Sequence, residues 1–132
     1  TQCLFSDKID SQVSDFSKLK SVRENLVLEQ KKISENTNIV MVGRDIGTKV
    51  LPNSNLKIYL DASIETRAIR RSKDLNNLSK AKVKKMIESR DILDKNRTNS
   101  PLVIDKNAFL VNTDNTTIDQ VVNNILNLYK NE

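Results

Sequence analysis

The chain has no histidine, no tryptophan, one cysteine and two glycines in 132 residues, and these shortages exclude several chemistries before any pattern is read. A single cysteine, Cys3, cannot close an intramolecular disulfide. Without histidine there is no Cys/His zinc site and no His-based nucleophile and base pair. Aromatic residues make up 4% of the chain, which argues against a surface on which nucleic-acid bases stack. No apolar run approaches the roughly 20 residues that a membrane span needs, and the first residues lack the basic, apolar and small-residue succession of a signal peptide. The expectation is an untargeted, soluble protein of a reducing, cytoplasmic setting. The start at Thr1, on the approach to a helix, reads as that of a fragment.

What remains is one domain or most of one, with 37% hydrophobic residues and a net charge of +5. A basic balance suits nucleic acid, an acidic surface or a small polyanion such as a nucleotide, and charge alone does not choose among them.

Apolar residues three or four apart, Ile9, Val13, Phe16, Leu19, Val22 and Leu26, predict one broken or two consecutive amphipathic helices over 9–33. Ser21-Val22-Arg23-Glu24 has the spacing of a capping box, which places a new helix start near Ser21. Ile39–Val42 reads as a buried strand after the polar turn Asn36-Thr37-Asn38, and Leu56–Leu60 as a second strand. Ser63 is placed to cap a helix through about Lys73, and Ser79 leads into a basic helix from Lys80 to about Asp94, limited by Pro101. Ala108–Val111 is a third strand candidate, and Thr117-Ile118-Asp119-Gln120 is a capping box before a regular final helix. Strands alternating with helices predict a parallel sheet.

Three groups of residues stand out. Average usage gives about nine glycines in a chain of this length, yet Gly43 and Gly47 are the only two, four apart in one loop around Arg44 and Asp45. Glycine serves where φ is positive or a ligand approaches the backbone, and the end of a strand in an open α/β sheet is where ligands bind. The same residues also suit a tight turn with an exposed ion pair. Arg90, Asp94 and Arg97, spaced i, i+4, i+7, fall on one stripe of a helix, along the edge of the apolar face marked by Val83, Met86, Ile87 and Leu93. Charges there need partners, and an Arg90–Asp94 pair within the helix is the plain alternative. Arg67, Arg70 and Arg71 form a cluster suited to phosphate oxygens, or equally a solvated basic face. The Lys80, Lys82, Lys84, Lys85 run reads as solvated surface.

Gly43-Arg44-Asp45-Ile46-Gly47-Thr48, followed by Leu56-Lys57-Ile58-Tyr59-Leu60-Asp61-Ala62-Ser63, resembles the central segment of bacterial-type cytidylate kinases. Val13-Ser14 and Ser21-Val22-Arg23 upstream, and Arg90-Asp91, Asp94, Arg97 and Ser100-Pro101-Leu102 downstream, resemble further elements of that family in the same order. The resemblance implies an α/β fold of the P-loop nucleoside monophosphate kinase type, with three parallel strands of a larger sheet and helices on both faces. Residues 1–132 would be the C-terminal part of a single kinase domain, with part of the nucleotide-monophosphate region and a lid at about 67–97. It implies phosphoryl transfer from ATP, with Mg²⁺, to CMP or dCMP, by a protein that is a monomer when complete and engages neither nucleic acid nor membrane. Ser14 and Asp45 would accept from the cytosine amino group, and Arg23 would donate to N3 and O2. Arg44 and Arg97 would hold the CMP phosphate, Arg90 and Asp94 the sugar. Arg67, Arg70 and Arg71 would act catalytically from the lid, and no residue is assigned to a metal.

The sequence departs from the family in one decisive respect. A phosphate loop of the form Gly-x-x-x-x-Gly-Lys-Ser/Thr cannot be made from Gly43 and Gly47, so the chain by itself is expected to be inactive. Leu4-Phe5-Ser6 also stands where members commonly carry Ile-Arg-Thr, and Phe5 in place of that arginine puts one phosphate contact of the resemblance in doubt. Another nucleoside monophosphate kinase, or a small basic nucleic-acid-binding module, is the alternative reading.

Overall fold

A computed structural model describes Phe16 and residues 19–75, 78–98 and 101–131. The helical pattern over 9–15 and the candidate base contact Ser14 lie outside the described residues. In chain order the elements are α1 (Lys20–Ser34), a π-helical turn (Ile46–Val50), β1 (Ile58–Asp61), α2 (Ile64–Asp74), α3 (Lys80–Lys95), β2 (Phe109–Asn112) and α4 (Ile118–Lys130).

β1 and β2 pair in parallel, with Ile58 opposite Phe109 and Leu60 opposite Val111. Parallel neighbours require a crossover, which α2 and α3 supply while packing against each other. Ser63 caps α2 by accepting from the Thr66 amide, and Ser79 caps α3 by accepting from Lys82. The capping box of α4 forms with both of its bonds, Gln120 to Thr117 and back. α3 ends at Lys95, ahead of Pro101, and the Leu102 amide returns to the Asp94 carbonyl at 2.8 Å.

Three expectations need correction. A helix does start near Ser21, at Lys20, but not through a Ser21 capping box: Leu19 is the N-cap, without a side-chain bond. The Arg23 amide already reaches the Leu19 carbonyl at 3.0 Å, so Ser21 is enclosed in helical backbone, and Glu24 pairs with Lys20 instead. Ile39–Val42 is not a buried strand: among the described residues it pairs with no strand, and Val40 and Val42 are 94% and 91% exposed. A strand exists only through its neighbour's hydrogen bonds, so an apolar run without a partner edge stays outside the sheet. The sheet of described residues therefore has two strands rather than three. Finally, neither glycine has a positive φ; the left-handed residue is Asn115, at 55°, in the turn after β2. Gly43 is required by close approach, because a Cβ there would lie 2.8 Å from Ile46 Cγ1.

Among the described residues the buried apolar side chains are few and small: Val50, Ala62, Ala68, Val83 and Val111. Several large apolar side chains among the described residues, Val40, Val42 and Ile118 among them, stand in water, so little hydrophobic free energy holds these elements together.

Polar clasps compensate at both ends of the strand pair, Asp114 with Ser63 after the strands and Asp105 with Lys57 before them. Asp114, after β2, accepts from the Ser63 amide and hydroxyl at 3.1 and 3.0 Å. Hydrogen bonding from Thr66, then from the Ser63 backbone, lowers the Asp114 pKa below its ordinary value. Asp105 is lowered chiefly by its hydrogen bond from buried Lys57, at 2.9 Å. A depressed carboxylate stabilises the fold above its unfolded pKa and loses that contribution as pH falls through the folded one. The gap in thermal midpoint between the parent chain and Asp114→Asn is therefore expected to be full above about pH 4 and to close as the medium is made more acid. A gap that stays constant through that titration refutes the clasp.

Candidate functional site

The charged residues singled out in the sequence converge from four parts of the chain. Arg23 comes from α1, and Arg44 and Asp45 precede the π-helical turn. Arg67 comes from α2, Arg90, Asp91 and Asp94 from α3, and Arg97 from just beyond its end. The wide turn places the loop: the amides of Lys49 and Val50 both reach the Asp45 carbonyl, at 2.8 and 3.4 Å, and Leu51 reaches Ile46 at 2.7 Å. Asp45, held at the mouth of that turn, is buried and pairs with Arg23.

Asp94 is the centre of the arrangement. It is 1% exposed, bound by Arg44 and Arg97, with Arg90 Nε 3.9 Å away. The helical stripe is thus inward, as its spacing implies, but α3 ends at Lys95 and Arg97 reaches Asp94 from the residues that follow. One turn earlier, Asp91 takes Arg67 Nη1 at 2.6 Å and faces Arg44 Nη1 at 3.7 Å. The alternative of an exposed ion pair between Arg44 and Asp45 is excluded, because the two residues pair with different partners.

Five guanidiniums (Arg23, Arg44, Arg67, Arg90, Arg97) face three carboxylates (Asp45, Asp91, Asp94), five minus three leaving two uncompensated positive charges. Burial, then the like charge of Arg90, lowers the pKa of Arg44, with Asp91 acting the other way and Arg67 adding to the lowering. Arg97 is lowered by burial, then by Arg23 and Arg44. Burial is the first cause in both, and the like-charge contributions beside it mean that a further negative charge would be favourable there. Two donors point the same way: Arg23 Nε and Arg90 Nε are buried without a hydrogen-bond partner. A phosphate monoester, with a charge of about −1.5 to −2 at neutral pH and three acceptor oxygens, matches such a site in sign, size and hydrogen bonding.

The other two lid candidates lie apart from the cluster. Arg70 donates to the Thr113 hydroxyl at 2.9 Å and to its carbonyl at 2.5 Å, fastening α2 to the end of β2. Arg71 is 3.9 Å from Asp74 on its own helix. The lysine run is largely surface, Lys84 pairing with Glu65 of α2. Asp91 is the participant to which the sequence reading gave no role; its position three residues before Asp94, on the same helix face, is the signal that locates it.

The cytidylate kinase family model matches residues 1–131. The chain belongs to the cytidylate kinase family. Curated cytidylate kinases from Ligilactobacillus salivarius and Clostridium botulinum are 46% and 44% identical over 134 and 128 residues, covering 97% and 94% of this chain. A bifunctional pantoate ligase/cytidylate kinase from Prochlorococcus marinus is 46% identical over 137 residues, covering all of this chain. The chain spans 59% of the length of the two cytidylate kinases and 27% of the bifunctional protein. The helices and small parallel sheet are compatible with an α/β kinase fold of this family.

Proposed function

We propose that this chain carries the acceptor site of an ATP-dependent (d)CMP kinase and forms the C-terminal part of its single domain. The observation that carries the reading is the five-arginine cluster with its excess of two positive charges and its buried unpaired donors. The Watson–Crick edge of cytosine presents an amino donor and two acceptors. The Arg23–Asp45 pair sets a donor fork beside an acceptor, the combination that edge needs, and Ser14 is the second acceptor of the proposal. Arg44 and Arg97 hold the acceptor phosphate, and Arg90 with Asp94 reads the sugar. Arg67, Arg70 and Arg71 belong to a lid built from α2 and α3, in which Arg67 is the member that already faces the cluster.

Catalysis in such a site is positioning and charge stabilisation, with little covalent work for the protein. ATP is the phosphoryl donor, and Mg²⁺ accompanies it to offset charge on the transferred group. No residue of this chain is assigned to the ion. The complete kinase of the proposal joins this chain to an N-terminal segment that carries a phosphate loop. It works as a monomer in the cytoplasm and engages neither nucleic acid nor membrane.

Asp45→Asn tests the base contact. A carboxylate only accepts, whereas an amide can turn its donor toward the O4 of uracil. The preference for CMP over UMP in kcat/KM is expected to fall about tenfold to a hundredfold, the equivalent of losing a hydrogen bond to a charged group worth about 1.5 to 3 kcal/mol. An unchanged ratio removes Asp45 from the base, and a parent protein that prefers UMP replaces the cytidylate reading with that of another nucleoside monophosphate kinase.

A further inference from the structure

We propose that Asp91 is a positioning residue that holds Arg44 and Arg67 in one shared setting, so that the guanidinium on the acceptor phosphate and the guanidinium on the transferring phosphoryl group address neighbouring oxygens. The inference rests on the kinase reading above and assigns a role to a residue that the reading leaves without one.

The two oxygens of the Asp91 carboxylate are divided between two arginines from different parts of the chain. Oδ2 accepts from Arg67 Nη1 at 2.6 Å, while Oδ1 lies 3.7 Å from Arg44 Nη1. Each arginine is also tied elsewhere. Arg67 Nε donates to the Ala62 carbonyl at 3.1 Å, at the end of β1, and Arg44 binds Asp94. Among the described residues Asp91 is therefore the one side chain that pairs with both guanidiniums, and it fixes the angle between two groups that would otherwise repel. Its surroundings place it between two spaces. On one side is the arginine cluster. On the other, Arg67 and Asp91 line a cleft of about 320 Å³ with Ile64, Glu88, Ile92 and Lys95, which leaves Arg67 accessible to a ligand.

The competing account is that Asp91 merely lowers the charge of the cluster. The two accounts predict opposite signs. Neutralising an acid raises the excess positive charge from two to three, so charge balance alone makes Asp91→Asn bind CMP more tightly and react at least as fast. If Asp91 positions the arginines, the same variant keeps or improves KM for CMP while kcat falls about tenfold to a hundredfold, the loss expected when reacting groups are displaced by about an ångström. Asp91→Glu separates the accounts a second time. It retains the charge but not the reach, so positioning predicts a lowered kcat and charge balance predicts the parental value.

The experiment is steady-state kinetics of the complete kinase with CMP and ATP for the parent, Asp91→Asn and Asp91→Glu, with thermal midpoints measured alongside. The expected result is a fall in kcat in both variants, larger in Asp91→Asn, without a rise in KM for CMP. An unaltered or increased kcat in a folded variant overturns the inference alone. A parent protein with no CMP-dependent turnover overturns the kinase reading and the inference with it. Should Asp91→Asn fail to fold, a parental kcat in Asp91→Glu overturns the inference by itself.

Discussion

Replacing Asp94 with alanine is expected to destabilise the chain by about 3 to 5 kcal/mol, the cost of removing one partner from a buried ion cluster. The magnitude follows from position. The Asp94 side chain is 2% exposed and is approached by Arg44, Arg90 and Arg97, so its loss leaves three guanidiniums facing one another with only Asp91, 3.7 Å from Arg44, to offset them. Surface pairs such as Lys32–Glu29 or Lys20–Glu24 are worth a fraction of this, because water and salt screen them. Domains of this size are stable by only about 5 to 15 kcal/mol, and the small buried core places this chain near the lower end. Asp94→Ala should therefore approach global unfolding at ambient temperature. Asp94→Asn, which keeps an acceptor but not the charge, should lose less. Urea midpoints read the loss. Added inorganic phosphate should recover part of it in the alanine variant, since an anion that binds only the folded state stabilises it by mass action. A midpoint that does not move on Asp94→Ala would mean that the arginines are independently solvated and that no cluster exists.

The parts of the molecule that sequence made legible are those in which short-range chemistry decides. Ser63, Ser79 and Thr117 cap their helices because a side-chain oxygen near an orphan amide is a local event, and α2, α3 and α4 start where those residues stand. The inward stripe of α3 was also readable, since Arg90 and Asp94 repeat with the helix while sharing its apolar edge. What was not readable depended on partners far along the chain. Ile39–Val42 has the composition of a buried strand, but composition does not supply a neighbouring edge. Ser21-x-x-Glu24 has the form of a capping box, but residues before it already belong to the helix. The spacing of Arg70 does not reveal that it donates to Thr113, 43 residues away. The dividing of Asp91 between Arg44 and Arg67 likewise needs the fold, because the three residues come from separate elements. Family resemblance brought the site residues to one place in prospect, and the structure adds which acid lies between which arginines.

The chain by itself is expected to give no CMP-dependent conversion of ATP to ADP, and joining it to an N-terminal segment with a phosphate loop is expected to restore turnover and order together. The argument for inactivity is chemical. A donor triphosphate needs a run of backbone amides and a lysine around its β and γ phosphates, and the two glycines of this sequence are engaged elsewhere. Gly43 is pressed against Ile46, and Gly47 lies in the π-helical turn beside Lys57. The arginine cluster is no substitute, because the proposal commits its donors to one phosphate monoester and its excess charge is two. The argument for restored order comes from surface. Val40 and Val42 stand in water beside backbone with no strand partner, and Leu60 and Leu110 of the two-stranded sheet are more than half exposed. An added strand would satisfy both, supplying hydrogen bonds to an open edge and covering apolar faces that otherwise invite self-association. The assay couples ADP formation to CMP, run on the chain alone and on the completed protein, with the urea midpoint of each. Activity that appears only with the added segment, together with a raised midpoint, is the expected pairing. Turnover by the chain alone would demand a donor site made from other residues, and restored order without turnover would leave the fold intact while removing the arginine cluster from the reaction.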